Sequence, residues 1–351
     1  MGWWRGAPRR RIERTVVAVT SLPQALHTVL PGDLYKVCPD LSLFQLDGRT
    51  KSSVVVSVML HGNEPSGLFA LQTLLSSLSA ATPYRTLLVL VGNVQAARAN
   101  VRKLPEGDDY NRIWFPGAHA RASAIMAELK KRDVVACFDL HNTSGKNPLF
   151  SILAHMNQRS LELASLMRGP VMYAPWTKGP LNAECGQHFP SVTVELKNYR
   201  DTETERHVAE QIAHLLNAPE PFSRDPLSGE IPFVVGVEAI AYRREVALPK
   251  GQRHSFELVD GLDQYNFKAV PEGTVWASSD PESYRALQVV GPEGDDVTET
   301  YFSFENGRIV SVLPFVPTLL STDNDAIHQD CIAYMTQPMS TRELRRLACA
   351  Q

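Results

Sequence analysis

Apolar residues along this chain recur in two rhythms. Short β-branched or leucine-rich runs bounded by turn-forming residues read as strands over 15–19, 42–46, 54–60, 87–91, 134–140, 149–153, 171–174 and 192–196. Between them, apolar residues at helical spacing read as helices over 65–79, 119–131, 160–167 and 204–216. Leu68, Leu71, Leu74, Leu75 and Leu78 form the stripe of the first helix, and Val208, Ile212, Leu215 and Leu216 that of the last. This alternation predicts an α/β fold, with a mixed, mainly parallel sheet flanked by helices on both faces.

The rhythm changes after Asn217. Residues 218–229 are rich in proline, glycine and polar side chains and read as a linker. Beyond them come short alternating runs at 238–243, 255–258, 275–278, 286–290 and 300–304, with Glu305-Asn306-Gly307 as a hairpin turn. A short basic helix is expected over 340–349. The predicted organisation is therefore a catalytic α/β domain over 1–218 and a smaller β-rich C-terminal domain over 230–351. A length of 351 residues agrees with two domains.

The chemistry stands where apolar runs stop. His61-Gly62-Asn63-Glu64 follows the run 54–60, and His141 ends the run 134–140 within Asp139-Leu140-His141-Asn142. Two imidazoles and one carboxylate form the donor set of a catalytic zinc site that keeps one position open for water. In an extended strand, His61 and Glu64 would point to opposite faces, because side chains alternate. Gly62 and Asn63 allow the turn that brings them together, and Pro65 suits the first turn of the following helix. Asp139 is placed to accept a hydrogen bond from a ligand imidazole. Taken singly, a His-x-x-Glu pair is a common chance pattern and His141 could be a core histidine; the two strand-end motifs together point to metal.

Two further elements carry charge. Glu195 lies inside the β-branched run 191–196, where a carboxylate is costly to bury without a partner or a task. Beside a zinc-bound water the task is general base, then general acid; the alternative is an exposed edge pair with Lys197. After Gly92-Asn93 come Arg98, Arg102, Asp109, Tyr110, Asn111 and Arg112. A fixed guanidinium stabilises an oxyanion, and a second grips a carboxylate; arginines in a polar loop are otherwise solvated surface.

The order of these motifs resembles the aspartoacylase and succinylglutamate desuccinylase family, within the zinc carboxypeptidase superfamily. The resemblance implies a zinc-carboxypeptidase-like fold with one zinc on His61, Glu64 and His141. It implies Glu195 as the carboxylate that activates water and Arg102 as the residue polarising the scissile carbonyl. Asn111 and Arg112 fall where the family holds a substrate carboxylate, and Asn142 follows the third ligand. The implied activity is a zinc-dependent deacylase cleaving the amide of a small N-acyl amino acid. A carboxypeptidase-type peptide hydrolase and a non-catalytic binder of a carboxylated ligand are the alternatives. The chain departs from the family in three places. Tyr110 stands where the family has leucine, and residues 181–186 lack the arginine that aspartoacylase carries before its catalytic strand. Residues 314–318 offer no match to a late family tyrosine. Glu184 in the arginine-free stretch opposes a dicarboxylate substrate, unless it faces solvent.

Composition narrows the classes. A formal net charge of −3 gives no footprint for nucleic acid or an anionic membrane. The five scattered cysteines contain no C-x-x-C and suggest reduced thiols in a cytoplasmic protein. No apolar run approaches the ~18 residues of a membrane span, and the arginine-rich N-terminus lacks a signal-peptide pattern. The expected partner is a small carboxylated amide, and a homo-oligomer is compatible with the composition.

Overall fold

The computed structural model of the protein describes residues 18–175, 178–197, 200–222, 256–280, 286–291, 294–323, 327 and 331–349, with the backbone alone for 233–242 and residue 341. Of the first run expected as a strand, residues 15–17 lie outside this set and 18–19 are not strand, which begins at Thr20; most of the linker and parts of the runs at 243 and 255 also lie outside.

The strands are β1 (Thr20–Ser21), β2 (Ser42–Leu46), β3 (Ser53–Val58), β4 (Thr86–Val91), β5 (Val134–Asn142), β6 (Phe150–Leu153), β7 (Val171–Tyr173) and β8 (Ser191–Leu196). They pair in the order β1-β2-β4-β3-β5-β8-β6-β7, parallel except at β2/β4 and β8/β6. The helices are α1 (Ser66–Leu78), α2 (Val94–Ala99), α3 (Ala120–Leu129), α4 (Gln158–Leu166), α5 (Leu181–Cys185) and α6 (Thr202–Asn217). This is the mixed, mainly parallel sheet that the alternation predicts. Residues 94–99 and 181–185 are helices that periodicity misses, because each is too short to show a stripe.

Strand alternation sorts side chains between two cores. Val54, Val56 and Val58 of β3 and Val192, Val194 and Leu196 of β8 pack with Leu68, Leu71 and Leu75 of α1 and Val208 and Ile212 of α6. Val55 and Cys137 turn the other way, toward Ile125, Met126 and Leu129 of α3 and Leu181 of α5. Thr193 and Glu195, at the alternate positions of β8, therefore face the α3–α5 side. So do Asp139 and His141 on β5, in register with Thr193 and Glu195. Chain connections leave β3 toward β4 on one side and toward β5 on the other. The crevice at such a switch point, at the carboxyl ends of the strands, is where open α/β sheets bind ligands.

The C-terminal residues do two things. Strands β9 (Phe233–Tyr242), β12 (Leu287–Val290), β15 (Val316–Thr318) and β16 (Ala333–Pro338) continue the main sheet beyond β7, through a parallel β7/β9 pairing. Strands β10 (Phe256–Leu258), β11 (Val275–Ser279), β13 (Phe302–Glu305) and β14 (Arg308–Ser311) make a separate antiparallel sheet, with Asn306 and Gly307 in left-handed conformation at the expected hairpin. Helices α7 (Thr298–Tyr301) and α8 (Thr341–Cys349) complete the chain. Among the described residues no helix is long and apolar enough to cross a membrane.

Candidate active site

The strand expected over 54–60 stops at Val58, because Met59 takes a left-handed φ of 60°. That conformation costs a non-glycine residue free energy, and Gly92-Asn93 holds it: Gly92 N–H donates to Val58 O and Asn93 N–H to Met59 O. Gly92 must lack a side chain here, since a Cβ would lie 2.5 Å from Met59 O. The chain then turns through Gly62, whose N–H donates to Arg102 O. Glu64 and the start of α1 follow, with Asn142 Oδ1 accepting from Ser66 N at 3.0 Å. These constraints place His61 and Glu64 beside His141 at the end of β5.

His61, Glu64 and His141 converge as the spacing predicts. Their candidate ligand atoms lie within 4.8 Å of one another. Both Nδ1 atoms face Glu64, His61 at 2.8 Å from Oε1 and His141 at 2.6 Å from Oε2. Tetrahedral zinc ligands stand about 3.4 Å apart, so the three donors need separate only slightly to hold a divalent ion. The opposite ring nitrogens also meet acids: His61 Nε2 lies 3.1 Å from Asp109 Oδ1, and His141 Nε2 lies 3.1 Å from Asp139 Oδ2. Metal-ligating imidazoles are held in this way, with a carboxylate behind each ring. The donor set and its backing thus fit a metal.

Charge couples these groups. Burial opposes ionisation of Glu64, but the two imidazoles outweigh it and hold the carboxyl well below its ordinary range. Burial likewise opposes a charged His141, but Asp139 and Glu64 raise its pKa well above the ordinary value. Asp109 is a hub. Its Oδ1 accepts from His61 and from Asn111 N, and its Oδ2 from Arg102 Nε at 3.1 Å. Against its burial, the His61 hydrogen bond and the Arg102 and Arg112 charges keep it ionised. The Asp109 hub explains the Asp-x-Asn-Arg pattern: the acid aims one guanidinium and the loop while Asn111 and Arg112 enter the cavity.

The cavity has a volume of about 550 Å³, and every site residue named from the sequence lines it: His61, Glu64, Arg102, Asn111, Arg112, His141, Asn142 and Glu195. Arg98 does not; it stacks on Tyr35 at 4.4 Å. Desolvation pushes the Glu195 carboxyl up to about 7, more than neighbouring charges pull it back. Asn111 Oδ1 accepts from Leu181 N at 3.0 Å, which turns its Nδ2 toward His141. Arg112 Nη1 donates to Asn111 O at 2.9 Å. Asn142 lines the cavity while its Oδ1 caps α1.

Two readings change. Glu184 neither faces solvent nor lines the cavity; it is buried against Lys130, 3.1 Å away, and His188. Its charge therefore does not set the substrate. Residues 314–318 contain no tyrosine; Tyr334 on β16, which the sequence reading did not single out, lines the cavity with Leu319, Ser321 and Cys331. Asn182 was also missed. Neither residue has a sequence signal, because both reach the site through sheet extension and a five-residue helix.

Residues 50–175 match the family described as Succinylglutamate desuccinylase/Aspartoacylase catalytic domain. Over 80 residues the chain is 42% identical to a succinylglutamate desuccinylase of Burkholderia cenocepacia, a match covering 22% of each protein. The chain thus spans about a fifth of the length of the curated relatives it matches. Among solved structures, the succinylglutamate desuccinylase of Chromobacterium violaceum superposes with a TM-score of 0.54 at 17% identity, over 84% of this chain and 88% of that one. Murine aminoacylase 3 superposes with a TM-score of 0.55 at 15% identity, over 82% and 96%. The two histidines, Glu64 and the Asp109–Arg112 loop all fall within the stretch that is similar to the succinylglutamate desuccinylase/aspartoacylase catalytic domain.

Proposed function

We propose that the protein is a zinc-dependent deacylase that hydrolyses the amide bond of a small N-acyl amino acid. The observation that carries this reading is the convergence, in one cavity, of the His61–Glu64–His141 set with Glu195, Arg102 and Arg112. Zinc on those three side chains supplies Lewis acidity and a water of lowered pKa. Glu195, beside His141 on the neighbouring strand, takes a proton from the attacking water. Its raised pKa suits it to return that proton to the leaving nitrogen. Arg102, oriented by Asp109, balances the charge that develops on the carbonyl oxygen. Asn111 and Arg112 hold the substrate carboxylate.

Residues 1–218 supply the chemistry in this reading, and 230–351 enclose it. Leu319, Ser321, Cys331 and Tyr334 close one side of the cavity, which supports a small substrate over a peptide. The test pairs metal analysis of the purified protein with hydrolysis of an N-acyl amino acid panel, Glu195→Ala alongside. We expect one zinc per chain in both proteins and turnover only in the wild type. Full activity of Glu195→Ala, or no stoichiometric divalent ion after reconstitution, overturns the assignment.

A further inference from the structure

Resting on the deacylase reading, we propose that the cavity accepts one carboxylate only, and that Asn182 and an apolar wall select an uncharged group at its far end.

The cavity is polarised along the sheet. His61 follows β3, His141 lies at the end of β5, and Glu195 lies on β8. Strands β6 and β7 lie next beyond β8. At a strand spacing of about 4.8 Å, the wall they build starts about 5–10 Å past Glu195. That wall is Ile152, Ala154, Met172 and Ala174, with Leu319 opposite. The cations that line the cavity among the described residues are Arg102 and Arg112. Arg102 is engaged by Asp109, with its Nη1 3.9 Å from Glu64. A first carboxylate meets Asn111 and Arg112, and a second at the β6–β7 end meets no cation among the described residues.

Asn182 gives this end its polarity. The residue is 2% exposed and lines the cavity. Its Nδ2 donates to Ile152 O at 2.9 Å. A carbonyl only accepts, so this bond fixes which end of the amide is which. The Asn182 Oδ1 is thereby left as a buried acceptor with no hydrogen-bond partner among the described residues. An acceptor in an apolar wall welcomes an N–H or O–H on a neutral ligand. It repels a carboxylate, which would exchange its hydration for hydroxyls such as that of Tyr334 and for no positive charge among the described residues. The short helix α5 that carries Asn182 occupies the stretch that holds no arginine.

The test compares two matched pairs: N-acetylmethionine with N-acetylaspartate, which varies the amine side, and N-pentanoylglycine with N-succinylglycine, which varies the acyl side. Binding to zinc-loaded Glu195→Gln protein is measured by calorimetry, and turnover with the wild type. We expect the neutral member to bind roughly a hundredfold tighter in the pair whose variable group reaches the wall, and no charged member to bind better in either pair. In Asn182→Arg that preference falls at least about tenfold, read in KM more than kcat. Tighter binding of the charged member in either pair, or equal binding in both pairs, overturns the proposal, as does binding of no ligand. Selective binding with no wild-type turnover of any of the four upholds the selectivity and removes the deacylase reading. If Asn182→Arg fails to fold, the two pairs on Glu195→Gln protein decide the matter.

Discussion

His61, Glu64, His141 and Arg102 are each held by a second side chain, and that pairing determines what a substitution does. Arg102 is aimed by Asp109, which also receives His61 and the Asn111 backbone. In the proposed reaction, removing the guanidinium leaves the three candidate metal donors in place and removes charge where the oxyanion would form. Arg102→Ala is expected to lower kcat about 10²–10³-fold with zinc content unchanged; a loss confined to KM would assign Arg102 to ground-state binding instead. His141 carries the pH prediction. Its pKa is raised above the ordinary value by Asp139 and Glu64, so the metal-free chain holds a proton there through neutral pH. Ligation requires the neutral imidazole, so binding displaces that proton, and apparent zinc affinity rises with pH by about tenfold per unit. Calorimetric titration in buffers of different ionisation heat reads the released proton, and zero release would contradict a protonated His141 in the metal-free chain.

At the level of elements, two close approaches shape the site. Gly92 packs against the strained turn at Met59, and Gly67 at the start of α1 packs against β5, where a Cβ would lie 2.8 Å from Leu140 Cβ and 2.9 Å from Leu140 O. Leu140 immediately precedes His141, so a bulkier residue at 67 must push α1 and β5 apart at the metal donors. Gly67→Val is expected to destabilise the fold by about 1–3 kcal/mol in urea unfolding and to weaken zinc binding in the same variant. Wild-type stability in Gly67→Val would mean that the helix and strand have slack. The strand β8 is the simpler case: its alternation alone buries Val192, Val194 and Leu196 on one face and turns Glu195 to the other.

In the whole molecule, the C-terminal residues are built into the sheet. Strand β9 pairs with β7, so a chain ending at residue 222 exposes an unpaired parallel edge next to the cavity wall. The cover is also pinned to the loop after β5. Ser144 Oγ lies 3.2 Å from Ser321 Oγ, Lys146 Nζ lies 3.2 Å from Asp263, and the Asn266 side chain bonds both N–H and C=O of Leu320. A protein truncated after 222 is therefore expected to aggregate, seen as loss of the soluble peak in size-exclusion chromatography. A soluble, zinc-binding truncation would show that the first 222 residues fold independently and would strengthen the two-domain division.

The sequence alone carried the strand–helix alternation, the strand-end placement of His61, Glu64 and His141, and the position of Glu195 inside a strand. These follow from local periodicity and from turn-forming residues, which act over a few positions. It also distinguished Arg102 from Arg98, by motif spacing. It could not show that Asp109 backs His61, that Glu184 is neutralised by Lys130, or that Asn182 and Tyr334 enter the cavity. Those facts depend on which strands become neighbours and on how far the C-terminal strands extend the sheet. Contacts of that kind join residues tens to hundreds of positions apart, and no local pattern encodes them. The strand-end motifs that carry the candidate donors were thus local in origin, whereas their convergence and the shape and polarity of the space around them were decided by the tertiary fold.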